Sequence, residues 1–381
     1  MRVKVFKSFK QEKGFALALV LLITTLVLIT VLEFNYEMRV DASIATNFRD
    51  SLKALYVAKG GINAAIALLR QDTSDDWEKK KVLVDSLDED WARPDLTWQV
   101  GEGMVTGMII DEDRKVNLNE FLTEGGQGGT GTQKSGTGGK NETEDKQKVE
   151  VVRRILDKLK VNSNNTEEII ESIKDWFGEG DDNPVIESYY QSLPSPYEAK
   201  MATFDDITEM LLVKGTNKNI FYQIKEKSLL PGGEQIPGSE KEVEEEPLKP
   251  LSTIFTVYTG PGTDKGKINI NTAPREVLLA LHENMDEESV DQIIEHRTEE
   301  PFESVDEVKK ISSNIEKIFD NDTKDTGLKG IRNLIKVRSN YFRIIAHGKV
   351  NDVTKTIEAV VFRDSNPEKE GRITIKSWAE Y

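Results

Sequence analysis

The chain has 381 residues, a net charge of −16 and no cysteine. That length allows two or three domains with a sizeable core, and the missing cysteine excludes disulfides, thiol nucleophiles and cysteine–zinc sites. So acidic a body repels phosphate backbones, which argues against general nucleic-acid binding.

The charge is unevenly spread. Arg2, Lys4, Lys7, Lys10 and Lys13 against Glu12 give residues 1–14 a charge of +4, leaving −20 for the remainder. Phe15 to Leu32 then runs 18 residues without a charge. As a helix this is about 27 Å long, close to the roughly 30 Å hydrocarbon thickness of a bilayer. The basic head predicts a cytoplasmic N-terminus with the rest exported. A cleaved secretory signal has a shorter apolar core and a small-x-small site after it; here Leu32-Glu33-Phe34-Asn35-Tyr36 follows instead.

The helical period continues. Ile44, Phe48, Leu52, Leu55, Ile62, Ile66 and Leu69 recur at spacings of three, four or seven, with polar residues between them. This predicts one helix of about fifty residues, apolar in its first half and amphipathic in its second. Gly60-Gly61 softens it without ending it. Thr73 to Asp90 reads as a charged connection. Asp95 to Asp113 reads as two short strands joined at Gly101-Glu102-Gly103.

Residues 124–146, rich in glycine and threonine, have the composition of a disordered loop, and residues 231–250 that of a linker. Helices are predicted within 147–230 and from Pro274 to Leu334, with a strand in "STIFTVYTG" between them. The tail returns to strand alternation in "YFRIIAHGKV", "TKTIEAVVFRD" and "RITIKSW". Strands flanking a helical block predict a small sheet domain interrupted by a helical insertion.

The block contains an internal repeat: "KVNLNEFL" echoes "KININTAPREVL", "EEIIESIKDW" echoes "SVDQIIEHR", and "TFDDITEML" echoes "PFESVDEVKKI", in the same order. Repetition in order argues for duplication. In each copy the asparagine after the short extended stretch is expected to cap the following helix, with Asn271 or Thr272 capping in the second. The pattern is similar to the helix-hairpin-helix fold. DNA-gripping hairpins present a glycine-rich turn to phosphate, whereas "HENMDEES" and "KVNSNNTEE" have no glycine at that place. A membrane-anchored DNA-binding protein is the reading this disfavours.

The stretch "QEKGFALALVLLITTLVLI" resembles the class III signal of type IV pilins and type II secretion pseudopilins. That resemblance implies cleavage between Gly14 and Phe15 by prepilin peptidase and N-methylation of Phe15. Most members have glutamate five residues into the mature chain; here Leu19 stands there. A carboxylate at that depth costs about 2.5–3.5 kcal/mol in lipid, and its absence marks the K-type minor pseudopilin of the general secretion pathway. Asn117-Leu118-Asn119, Asp175-Trp176, Tyr189-Tyr190, Pro196-Tyr197, Leu211 to Gly215 and Asn269 to Ala273 are similar to blocks of that same family.

The resemblance implies an α+β fold, with a pilin-like long N-terminal helix on a small antiparallel sheet. A large inserted helical domain carries two helix-hairpin-helix-like (SAM-like) repeats. The expected segments are a leader at 1–14, the helix at 15–70 and the first part of the sheet domain at 71–113. The first repeat follows at 114–230, the linker at 231–250, the second repeat at 251–338 and the C-terminal strands at 339–381. The implied role is that of a tip subunit which starts the pseudopilus of type II secretion. Other minor pseudopilins, the major pseudopilin, prepilin peptidase and the inner membrane are the implied partners, and the head is implied to be periplasmic. A minor pilin of a type IV pilus shares the N-terminus; the inserted duplicated domain favours the secretion system.

One loop suits a cation. Calcium takes six to eight oxygens from clustered carboxylates on a bent loop, and Asp175, Glu179, Asp181, Asp182, Asn183 and Glu187 supply such oxygens, with Gly178 and Gly180 allowing turns. The resemblance implies calcium on Asp175, Asp181 or Asp182, and Glu187, with Gly178 standing where another aspartate is usual. The alternative is a solvated acidic loop. "DNDTKDTG" from Asp320 lacks an EF-hand glutamate, since Ile331 stands at its twelfth position. The three histidines accompany no nucleophile-elbow serine, and the glycines of 125–139 precede no lysine-serine pair. No enzyme is expected.

Overall fold

The structure is a computed structural model that describes residues 12–79, 81–122, 141–159, 163–178, 184–222, 250–260, 264–320, 330–364 and 372–381. Helix α1 spans Glu12–Lys79, 68 residues. It therefore continues nine residues beyond the expected 15–70, into the stretch read as a charged connection. Side-chain bonds hold this extra turn: Thr73 donates to the Leu69 carbonyl at 3.0 Å, and Asp76 accepts from the Val84 backbone at 3.1 Å.

Strands β1 (Leu96–Val100), β2 (Gly103–Asp111), β7 (Tyr341–Val350), β8 (Val353–Arg363) and β9 (Ile373–Glu380) form one antiparallel sheet in the order β1-β2-β7-β8-β9. Alternation places Val105 and Ile109 of β2, and Phe342, Ile344 and Ala346 of β7, on the face that receives α1. The helix turns Ala54, Val57, Ala58, Ile62, Ala65 and Leu69 toward them. Helix and sheet lie unusually close because the contact is made by small residues. A Cβ at Gly348 would lie 2.3 Å from the Ala54 carbonyl oxygen and 2.4 Å from the Ala58 nitrogen. One at Gly61 would lie 2.5 Å from a Val105 methyl. Gly60-Gly61 thus does not end α1; it lets the helix seat on the sheet.

The described residues between β2 and β7 form a second body with its own hydrophobic core. Its first half holds β3 (Val116–Asn117), α2 (Leu118–Phe121), α3 (Asn141–Lys158), α4 (Ser163–Phe177), α5 (Pro184–Gln191) and α6 (Lys218–Tyr222), ending in β4 (Phe255–Thr256). The second half holds β5 (Ile268–Asn269), α7 (Arg275–Ala280), α8 (Glu287–Glu299), α9 (Val305–Val308) and α10 (Ser313–Phe319), ending in β6 (Ile335–Lys336). β3 pairs parallel with β4, and β5 with β6. The strand expected in "STIFTVYTG" is only the two residues of β4, and α3 begins at Asn141, inside the stretch read as a loop.

The halves share a set of side-chain bonds. Asn119 donates to the Phe204 carbonyl at 2.8 Å and accepts from its nitrogen at 2.9 Å; Asn271 does the same to Phe302 at 3.0 and 2.9 Å. Asn117 donates to Thr259 at 3.3 Å where Asn269 donates to Ser339 at 2.8 Å. Glu209 accepts from the nitrogens of Asp205 and Asp206, and Glu307 from those of Glu303 and Ser304, the returning half of a capping box. The asparagines therefore do not cap the following helices. Asn117 precedes α2 without a side-chain cap bond, and α7 is preceded by Pro274. Tying two distant loops satisfies buried backbone groups that would otherwise have no partner.

Candidate functional site

The first candidate surface is the free end of α1. From Phe15 to Leu32 its apolar side chains are exposed, with Phe15 at 73% and Leu22 at 65%. Its polar groups are satisfied within the helix: Thr24 and Thr25 donate to the Leu21 carbonyl, Thr30 to Leu26, and Asn35 to Val31. A helix that supplies its own hydrogen-bond partners can sit in lipid, and this one is long and apolar enough to cross a membrane. Farther along, Phe48, Leu52 and Tyr56 form an exposed ridge beside Val100 and Val350, bounding an open groove of about 600 Å³. Lys53–Glu102 at 2.5 Å and Arg49–Asp50 at 2.9 Å fringe it.

The second candidate is the clamp where the two bodies meet. The backbone of β2 ends in Asp111-Glu112-Asp113, and each acid holds a different segment. Asp111 accepts from Thr272 at 2.5 Å, Ser339 at 2.6 Å and Asn269 at 3.3 Å. Glu112 accepts from Lys115 and Arg343, each at 2.6 Å, and from Thr256 at 2.6 Å. Asp113 accepts from Lys336 and from the Asn340 nitrogen, each at 2.6 Å. Burial and the neighbouring Asp113 push Asp111 up to about 6. Burial raises Glu112 too, but Lys115 and Arg343 outweigh it and hold the carboxyl at about 2. Sequence reasoning took these acids only as a strand end. The available signal was three consecutive acids closing an apolar alternating strand, a place where charge survives burial only if paired.

Of the predicted site residues, Gly14 lies in the backbone of α1, Phe15 opens its exposed apolar run, and Leu19 is half-exposed within it. Asp175 is in the last turn of α4, and Gly178 turns the chain with φ +80. Asp181 and Asp182 lie outside the described residues; Glu187 is on α5, its side chain also outside them. Trp176, in the last turn of α4, and Tyr190, in the last turn of α5, meet edge-on at 5.8 Å, which packs the two helices together. The turn at 282–285 is acidic, with the buried His282 accepting from the Asn284 nitrogen at 3.0 Å.

Two family models, both described as type II secretion system (T2SS), protein K, match residues 114–226 and 268–325. The matched stretches coincide with the two halves of the helical body. Over these stretches the chain is similar to the type II secretion system protein K family. It is 22% identical over 363 residues to the type II secretion system protein K of Aeromonas hydrophila, covering 93% of this chain and 94% of that one. With the type II secretion system protein K of Pseudomonas aeruginosa it is 24% identical over 371 residues, covering 96% and 91%. In fold it is similar to a chain of the crystal structure of the GspK-GspI-GspJ complex from enterotoxigenic Escherichia coli. There the TM-score is 0.57 at 14% identity, covering 88% of this chain and 99% of that one. The protein K family is a structural component of its secretion system. Both candidate surfaces suit such a component, because one is an apolar helix end and the other a rigid joint.

Proposed function

We propose that this protein is the minor pseudopilin that crowns the type II secretion pseudopilus and starts its assembly. The observation that carries the reading is the position of the helical body, inserted between β2 and β7 and fixed to the sheet by Asp111, Glu112 and Asp113. The apolar run Phe15–Leu32 bundles with equivalent helices of sibling subunits as they leave the bilayer, and the ridge at Phe48, Leu52 and Tyr56 continues that contact. The broadened head leaves no pilin-like surface on which a further subunit can stack. Other minor pseudopilins are its partners, a reading supported by the complex in which the similar chain was solved; the major pseudopilin follows below them.

The same reading assigns prepilin peptidase cleavage between Gly14 and Phe15, methylation of Phe15, a single span of the inner membrane and a periplasmic head. Leu19 suits the topmost place, where a glutamate partner for a neighbour's amine is not needed. The two halves of the helical body act as helix-hairpin-helix-like repeats without a phosphate grip. Asp175, Asp181 or Asp182, and Glu187 hold calcium between α4 and α5. Gold labelling of purified pseudopili tests the central claim. Label at one end only supports it; label spaced along the shaft overturns it.

A further inference from the structure

Where α1 reaches the head, carboxylates outnumber cations in a confined space. Asp72 of α1, and Asp85 and Glu89 of the connection that follows it, bring carboxylate oxygens within 4.8 Å of one another. Asp76 of α1 adds a fourth nearby carboxylate, and Asp111 of β2 lies behind Asp85. Among the described residues the single cation that faces this group is Arg363, at the end of β8, and it is already committed. It donates to Asp72 at 3.0 Å, to Asp85, and to the Ser339 carbonyl at 3.0 Å, while lying over the Phe342 ring. Asp85 is buried and also accepts from the Ser339 nitrogen at 2.6 Å. Among the described residues the Glu89 carboxylate receives only the indole N–H of Trp91. Arg93, the next cation along the connection, pairs with Asp90 instead.

We propose that this joint holds one proton at neutral pH, shared between Asp72 and Glu89, and that its loss loosens the connection between α1 and the sheet. One guanidinium balances one carboxylate. The remaining acids stand too close, and too far from water, to be charged together. In keeping with this, burial followed by the charges of Asp85 and Asp72 pushes Glu89 up to about 9. Burial followed by Asp85 pushes Asp72 up to about 7. The cluster is well clear of the lipid segment, since Asp72 is forty residues beyond Leu32, about 60 Å along the helix. The proton is bound in the folded chain and absent from the unfolded one. Stability is therefore greatest in mild acid and falls as pH rises through the raised values.

The test uses the full chain in detergent, with equilibrium unfolding followed from pH 6 to pH 9. Between pH 7 and 8 the unfolding constant should rise about tenfold per pH unit. Glu89→Gln keeps an acceptor for Trp91 and should flatten that rise, as should Asp72→Asn. Isotope-edited infrared spectroscopy of labelled glutamate should show a protonated carboxyl at pH 7 that is lost in Glu89→Gln. An unchanged slope in both variants, or no protonated carboxyl at pH 7, overturns the proposal. So does calcium restoring at pH 8, in the Asp181→Ala plus Glu187→Ala background, the stability lost since pH 6, since a cation at the joint would then be the neutralising partner.

Discussion

Asn271 grips Phe302 by both backbone groups, its Nδ2 donating to the carbonyl at 3.0 Å and its Oδ1 accepting from the nitrogen at 2.9 Å. Both residues are buried. Asn271→Ala leaves a donor and an acceptor without partners and should destabilise the chain by about 2–4 kcal/mol. Asn119→Ala should cost at least as much, because Asn119 makes the same two bonds to Phe204 and donates also to the Val257 carbonyl at 2.8 Å. Denaturant unfolding of the two variants checks the comparison; a large loss in one and none in the other would break it.

Glu112 sets the acid limit of the fold. Its folded value of about 2 lies below that of the unfolded chain because Lys115 and Arg343 prevail over burial. The stability it supplies is therefore present above about pH 4.5 and is lost as pH falls toward 2. Glu112→Ala leaves Lys115 buried without its partner and should cost about 3–5 kcal/mol at neutral pH. A pH titration of melting temperature should show a shallower acid limb in that variant.

Gly348 admits no side chain. A methyl there meets the backbone of α1 at both Ala54 and Ala58, and helix backbone cannot rotate aside as a side chain can. Gly348→Ala should destabilise by about 3 kcal/mol or more, with loss of the helix–sheet contact visible as faster amide exchange in residues 54–65.

Mass spectrometry of the chain expressed with prepilin peptidase should find a mature N-terminus at methylated Phe15. A chain that still begins at Met1 under those conditions would leave α1 a plain anchor.

Calcium should raise the melting temperature of the native chain and not of the Asp181→Ala plus Glu187→Ala double variant. An equal rise in both would remove those two residues from the site.

The long helix, the strands of the sheet and the repeat were legible because each follows from a period: 3.6 in α1, 2 in β2, β7 and β8, and a recurring block order in the helical body. What escaped the sequence was where polar side chains spend their hydrogen bonds. Asn117 and Asn271 sit where a cap belongs, yet they bind Tyr258, Thr259 and Phe302, loops that lie tens of residues away in the chain. Asp111, Glu112 and Asp113 read only as the end of a strand for the same reason, since their partners at Thr256, Thr272, Lys336 and Arg343 are far away in sequence. The glycines of α1 were seen as softeners because only the sheet shows what they face.

Because α1 runs unbroken through Gly60-Gly61 from Glu12 to Lys79, it is a strut of about 100 Å. Force applied at its lower end has no hinge in which to dissipate, so any axial thrust arrives undiminished at the clamp beneath the head.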